Sequence, residues 1–392
     1  MLVARLLGID IRIHVSWFLI FGLVLVSLSN PRGILAEFAP GWTQRELVLV
    51  AAVTALFFFS SVLVHELAHA LVARSFRMSV SSITLFLLGG VANLAKEPPS
   101  ARAEFLMAAA GPLTSLGIGV TSFGVCELVF RSQGGCLELL QLRIAAGPNL
   151  FSAIGVVAAY LAFVNVLLAV FNLIPGFPLD GGRVFRSIVW GVTSDRGIAT
   201  RFAARGGQIV AGLLFLFSVW RLFNGETVGA VWMAMIAYFL YTAASSSLEQ
   251  ERIAATVSGV RVGPLMSLQF RTVHPRSSVA ELVETHVLPH NARAVAVVDG
   301  ERLHGIVTIA DLRKVPQRDW GVTPVDRVMT PAEQIPAISP NSRLMTAIER
   351  FSGSDIPVIP VVDEGVLVGM LEREAVISYV RMREMLGMDG KR

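Results

Sequence analysis

Ser61-Val-Leu-Val-His65-Glu66-Leu-Ala-His69-Ala70 sets two histidines and a carboxylate into an otherwise apolar stretch. On a helix, residues i and i+4 share a face, so His65 and His69 can hold one metal ion. Glu66 stands beside them, where a carboxylate can polarise a metal-bound water. Residues 1–247 contain only one further histidine, His14. Two histidines do not complete a catalytic metal site, which ordinarily takes three protein ligands and an open position. The third candidate is Asp180, in Asn172-Leu-Ile-Pro175-Gly-Phe-Pro178-Leu-Asp180-Gly181-Gly182. Pro175 and Pro178 break a helix there, and Gly181-Gly182 permits a sharp turn. Taken alone, Asp180 reads equally well as the start of the next helix. With the histidine pair in the same apolar region it reads as a ligand.

The surroundings are those of a membrane protein. Of 392 residues, 54% are hydrophobic and 16% charged, and mean hydropathy is +0.63. A soluble domain carries about 25% charge. Disorder and an all-soluble chain are thereby excluded. The net charge of +4 comes without a basic block, so no direct nucleic-acid partner is expected. Six apolar runs near the ~20 residues that cross a bilayer lie at about 14–29, 48–73, 103–129, 151–174, 205–221 and 228–246. The first and fifth are short, which leaves five spans open. Residues 80–95 are apolar, too short to cross, and centred on Gly89-Gly90, so a β-hairpin or re-entrant loop is expected. Ionisable groups at membrane depth are costly and mark function.

Orientation follows from the basic residues. With the N-terminus inside, Arg5, Arg12, Arg74, Arg77, Lys96, Arg102, Arg183, Arg186, Arg196, Arg201 and Arg205 fall inside, 11 against 5 outside. A multi-pass protein of the plasma (inner) membrane is expected, with its N-terminus and its soluble C-terminal part cytoplasmic. Glu104 and Glu127 lie at span ends and read as interfacial residues. Arg183 and Arg186 read as snorkelling anchors. Cys126 and Cys136 read as two unpaired small residues. A bond between them would need an oxidising compartment.

His65-Glu66-Leu-Ala-His69 with Asn172-x-x-Pro175-x-x-Pro178-Leu-Asp180-Gly181-Gly182 resembles the site-2 protease family of intramembrane zinc metalloproteases over residues 1–247. The resemblance implies that His65, His69 and Asp180 bind Zn2+ and that Glu66 activates water. It implies that Asn172 positions substrate or steadies the oxyanion; as a bare residue Asn172 also fits a helix C-cap. It implies that Gly89 and Gly90 carry bound substrate as an added strand. Gly111-Pro112 matches a further landmark and reads as a packing and helix-start feature.

Past Glu249 the sequence becomes ordinary soluble sequence. After a linker at 248–261, two copies of a strand–helix–strand–strand–helix pattern occupy 262–318 and 319–392, with Gly305 and Gly369 equivalent. They resemble a tandem pair of cystathionine-β-synthase-type (CBS) domains. That resemblance implies an α/β module, a homodimer, and ATP or another adenine nucleotide contacted by Thr308 and Asp311. Glu372 and Ala375, their counterparts, do not fit the pattern, and a nucleotide-free scaffold stays open. Asp311 also fits a helix cap. His274, His286, His290 and His304 have no metal spacing.

The expected fold is thus an α-helical polytopic membrane domain of about six spans with a membrane-associated hairpin or re-entrant loop, then a tandem CBS domain. The expected function is zinc endopeptidase action on a transmembrane helix of a regulatory protein, such as a membrane-tethered transcription factor or anti-sigma factor. A CBS-gated metal or ion transporter is the alternative, against which stand the lack of a repeat among the spans and the few polar residues outside the two motifs. A binding protein that keeps the fold without catalysis is the third reading; it would be expected to have lost Glu66.

Overall fold

A computed structural model describes the chain apart from residues 87–88, 95–97, 301, 353–355 and 388–392, and describes 91–94 by backbone alone. Lys96, in the inside set above, and the tip of the expected hairpin lie outside the described residues. The chain divides into two compact units, Met1–Leu248 and Glu249–Arg392.

The first unit opens on two strands that hydropathy did not reveal, β1 (Leu2–Leu6) and β2 (Ile9–Ile13). Leu7 and Gly8 join them with positive φ at both positions, the geometry of a tight hairpin. Then come α1 (Val15–Leu28), α2 (Ile34–Phe38), α3 (Gln44–Ser75), β3 (Val80–Phe86), β4 (Gly89–Leu94) and α4 (Ala101–Phe130). α5 (Cys136–Leu140), α6 (Leu150–Asn172), α7 (Asp180–Thr193), α8 (Arg196–Phe223) and α9 (Thr227–Thr256) follow.

Among the described residues, five helices, α3, α4, α6, α8 and α9, are long and apolar enough to cross a membrane. The first expected span becomes α1, whose 14 residues reach only about 21 Å. β2 takes the residues before it, and Pro31 lies just beyond its end. The fifth expected span is longer than hydropathy suggested, because α8 extends back through Arg205 and Arg201 to Arg196.

The four strands form one sheet in the order β1-β2-β3-β4, with β2 and β3 parallel. Ile9 and Ile11 point inward and pack with Ile83, Ala70, Ala73 and Met107, which seats the sheet against α3 and α4. Arg74 fixes the seat by donating to the carbonyls of Leu7, Gly8 and Val80. The expected hairpin at 80–95 is β3 and β4, and β4 is an edge strand.

The expectation of two unpaired cysteines is corrected. Cys126 and Cys136 form a disulfide, both fully buried. After α4 the chain reverses through Gly134 and Gly135, both at positive φ, which brings the two Cα atoms to 5.2 Å. Glu127 is not simply interfacial: its carboxylate accepts the Cys136 N–H at 2.8 Å and so stops that reversal.

In the second unit β5 (Thr272–Val273), α10 (Val279–Leu282), α11 (Leu288–His290), β6 (Ala294–Asp299), β7 (Arg302–Thr308) and α12 (Ile309–Leu312) make the first repeat. After β8 (Thr330–Pro331), the second repeat has α13 (Leu344–Ser352), β9 (Val358–Asp363), β10 (Val366–Glu372) and α14 (Arg373–Met385). The lead-in segments are exchanged: β8 pairs with β7 of the first repeat, while Ser267 bridges Met370 in the second. Gly305 and Gly369 make this crossing fit, since a Cβ would meet Met329 and Met266 respectively at 2.9 Å. The segment 248–261 begins as the last turns of α9.

Candidate metal centre

α3 carries His65 and His69 one turn apart, both buried. Asp180 is the first residue of α7. It does not cap that helix; its carboxylate reaches across to α3. Oδ2 stands 3.2 Å from His65 Nε2 and 3.2 Å from His69 Nε2, and the two nitrogens are 3.2 Å apart. Ligands about 2.0–2.1 Å from a tetrahedral zinc are separated by about 3.3 Å. Among the described residues this is the one His/Cys/Asp/Glu trio with metal-ligand geometry.

The imidazoles are oriented from behind. His69 Nδ1 donates to the Met107 carbonyl at 2.7 Å, which leaves a lone pair on Nε2 facing Asp180. His65 Nδ1 meets the Ser115 hydroxyl at 2.9 Å. A lone pair and a carboxylate aimed at one point repel each other unless a cation lies between them. The residues present therefore fit zinc, with the outer hydrogen bonds that histidine ligands need.

α4 supplies those partners. Gly111 is neither a helix start nor a mere packing residue: it lies inside α4, and a Cβ there would come within 2.2 Å of His69 Nε2 and 2.6 Å of His65 Nε2. Pro112 has no N–H for the Ala108 carbonyl, which loosens the turn that includes Met107. Ser115 and the Met107 carbonyl were missed from sequence, because α4 carries both Ser115 and Ser122 and only the fold shows that Ser115 is the buried one.

Asp180 is aimed by backbone contact. Gly181 and Gly182 sit within the first turn of α7 and do not make the sharp turn expected of them. Their role is space: a Cβ at Gly181 would collide with the Leu173 carbonyl at 2.3 Å, and one at Gly182 with Gly176 at 2.4 Å. The loop from Leu173 is anchored on α8, where Phe177 N–H donates to the Ala203 carbonyl at 3.1 Å and Gly207 leaves room for Phe177.

Glu66 is half-buried. Its carboxylate lies against the edge strand: a Cβ at Gly90 would stand 2.5 Å from Glu66 Cγ and 3.1 Å from Oε1. Gly89, beside it, has φ +136°, backbone that favours glycine. Asn172 is the last residue of α6, half-buried, with Leu173 as the cap. Its side chain is outside the metal-binding trio.

Two span-end readings are corrected here. Glu104 is fully buried, and Arg186 does not snorkel: its guanidinium binds Glu104 and lies 5.0 Å from the centre of the Phe177 ring. Hydropathy places both near an interface, but folding puts them face to face.

The residues match peptidase family M50 over 53–217 and CBS domains over 262–318 and 325–381. "Putative zinc metalloprotease Rip3" of Mycobacterium tuberculosis is 34% identical over 352 residues, covering 89% of this chain and 84% of its own length. The chain belongs to peptidase family M50. "Putative zinc metalloprotease sll0528" of Synechocystis is 30% identical over 384 residues, covering 97% of this chain and 95% of its own. The solved site-2 protease from Methanocaldococcus jannaschii is 25% identical, covers 63% of this chain and 94% of its own, and superposes with a TM-score of 0.39. The protein is an integral-membrane zinc metalloendopeptidase of the site-2 protease type, with two CBS domains.

Thr308 and Asp311, named above for nucleotide, form a capping box at α12. Asp311 Oδ2 accepts from the Thr308 N–H at 3.1 Å and from its hydroxyl at 2.7 Å, and Oδ1 from Lys314 at 2.8 Å. Burial opposes the charge on Asp311, but these hydrogen bonds outweigh it and hold the carboxyl below its ordinary range.

Proposed function

We propose that this enzyme hydrolyses a peptide bond within or near a transmembrane helix of a membrane-tethered regulatory protein, such as a transcription factor or an anti-sigma factor. The observation that carries the reading is the convergence of His65, His69 and Asp180 inside a bundle of apolar helices. His65, His69 and Asp180 would hold zinc, which would supply a bound water with its pKa lowered to about 7 and a Lewis acid for the scissile carbonyl. Glu66 takes the proton of the attacking water and returns it to the leaving amine. Asn172 steadies the oxyanion or the substrate chain. A helical substrate hides its carbonyls in hydrogen bonds and must unwind. The free edge of β4 at Gly89 and Gly90, lying against Glu66, offers the unwound segment a strand partner.

The buried disulfide supports the part of the arginine-based orientation that sets the start of α4 and the CBS pair on the cytoplasmic side. A bond between Cys126 and Cys136 fits an end of α4 that faces an oxidising compartment. Three further crossings, α6, α8 and α9, then bring the chain to the opposite, cytoplasmic face, where the CBS pair senses an adenine nucleotide through Thr308 and Asp311 and pairs with a second copy.

The test is zinc content and cleavage of a helical membrane substrate by the full chain in detergent, with and without ATP. Glu66→Gln is expected to keep zinc and lose cleavage by at least 1000-fold, and Asp180→Ala to lose zinc (about 10³ or more is the scale at which catalytic groups act). Full cleavage by Glu66→Gln would sink the assigned base. An unchanged rate with ATP would leave the CBS pair as a scaffold.

A further inference from the structure

α4 meets the metal centre along one stripe. Met107, Gly111 and Ser115 recur at helical spacing and contact His69, both imidazoles and His65 respectively. Glu104 continues the stripe one turn earlier and has no exposed surface. Its Oε1 accepts from Arg186 Nε at 2.7 Å and from Nη2 of the same guanidinium. Its Oε2 has no partner among the described residues. Arg186 lies on α7, six residues after Asp180, and covers Phe177 in the loop that leads into that helix.

We propose that Glu104 and Arg186 are a positioning pair for the third metal ligand. α4 orients both histidines directly and, through this ion pair, the helix that carries Asp180, so that all three ligands are registered against one helix. Gly181 and Gly182 seat the first turn of α7 against Leu173 and Gly176. The guanidinium held by the carboxylate fixes the same helix further along, because its bonds are directional. Two apolar side chains would fill the same space without burying charge. The proposal rests on the metal-site reading above.

The test uses the full chain in detergent and three readouts: zinc affinity, the absorption bands of the cobalt-substituted site, and thermal unfolding without metal. Glu104→Gln and Arg186→Lys are each expected to weaken zinc about 10- to 100-fold, the usual effect of losing an outer partner, and to shift the cobalt bands. Glu104→Met/Arg186→Met removes the buried charges, so unfolding without metal returns towards wild type while affinity and bands do not. Wild-type affinity and bands in the folded double variant, or in Arg186→Lys, would overturn the proposal. Should the wild-type chain bind neither zinc nor cobalt, the metal-site reading falls, and this proposal with it.

Discussion

At one end of α4, Glu104 binds Arg186, Gly111 touches both histidines, and Ser115 and the Met107 carbonyl orient them. At the other end, Cys126 is bonded to Cys136, and α3, α4 and α6 leave an apolar cavity of about 850 Å³ lined by Leu49, Phe57, Ile118, Val125, Ile154 and Leu161. α3 and α4 thus pack with no room for a methyl group beside the histidines, whereas α3, α4 and α6 leave open space between them further along. Hydrogen bonds and metal ligation are directional and fail over tenths of an ångström. Apolar packing in lipid has no direction to satisfy and tolerates a lateral groove. The disulfide closes a short loop and so adds stability, but it orients nothing at the metal.

Three variants can break or sharpen that contrast. Gly111→Ala should have the largest effect, because its methyl would occupy the point where both Nε2 atoms converge. A loss of zinc affinity above about 100-fold, some 2.7 kcal/mol or more, is expected by metal titration. Near-normal affinity would mean that α4 can retreat and is not the template. Next, Cys126→Ser/Cys136→Ser should cost about 2–3 kcal/mol of stability, the loop-closure value for a bridge this short. It should leave zinc affinity unchanged; weaker zinc would show that the two ends are coupled. The smallest effect belongs to Ser115→Ala, about tenfold in zinc affinity and about 1.4 kcal/mol, with His65 still present to bind. No change there would mean that His65 is held by packing alone.

Much of the site was legible because its residues announce themselves by contrast with an apolar background. His65, His69 and Asp180 are ionisable groups where charge is costly. Glu104 and Arg186 are equally charged but lie where hydropathy changes, so an interfacial position explained them at sequence level. Only the pairing of α4 with α7 distinguishes a buried ion pair from two surface charges. The N-terminal strands were missed for a related reason. Ile9-Asp10-Ile11-Arg12-Ile13 alternates as a strand should, but the long apolar run beginning at Val15 dominates any window that includes it. Gly181 and Gly182 were read as turn formers, whereas they are helical and are needed for close approach, a requirement set by a neighbour distant in sequence.

The sequence by itself determined the class of the protein, the placing of His65 and His69 on one helix face with Glu66 beside them, and the doubled CBS pattern. Those follow from composition, from the i, i+4 spacing of a helix and from repetition, all of which are local properties of the chain. The tertiary structure decided which groups stand behind the ligands, that the cysteines are joined, that Gly111 and Gly90 must lack side chains, and where each repeat receives its lead-in strand. Each of these depends on a distance between segments far apart in the chain or on its reversal in space, and no local pattern encodes such a distance.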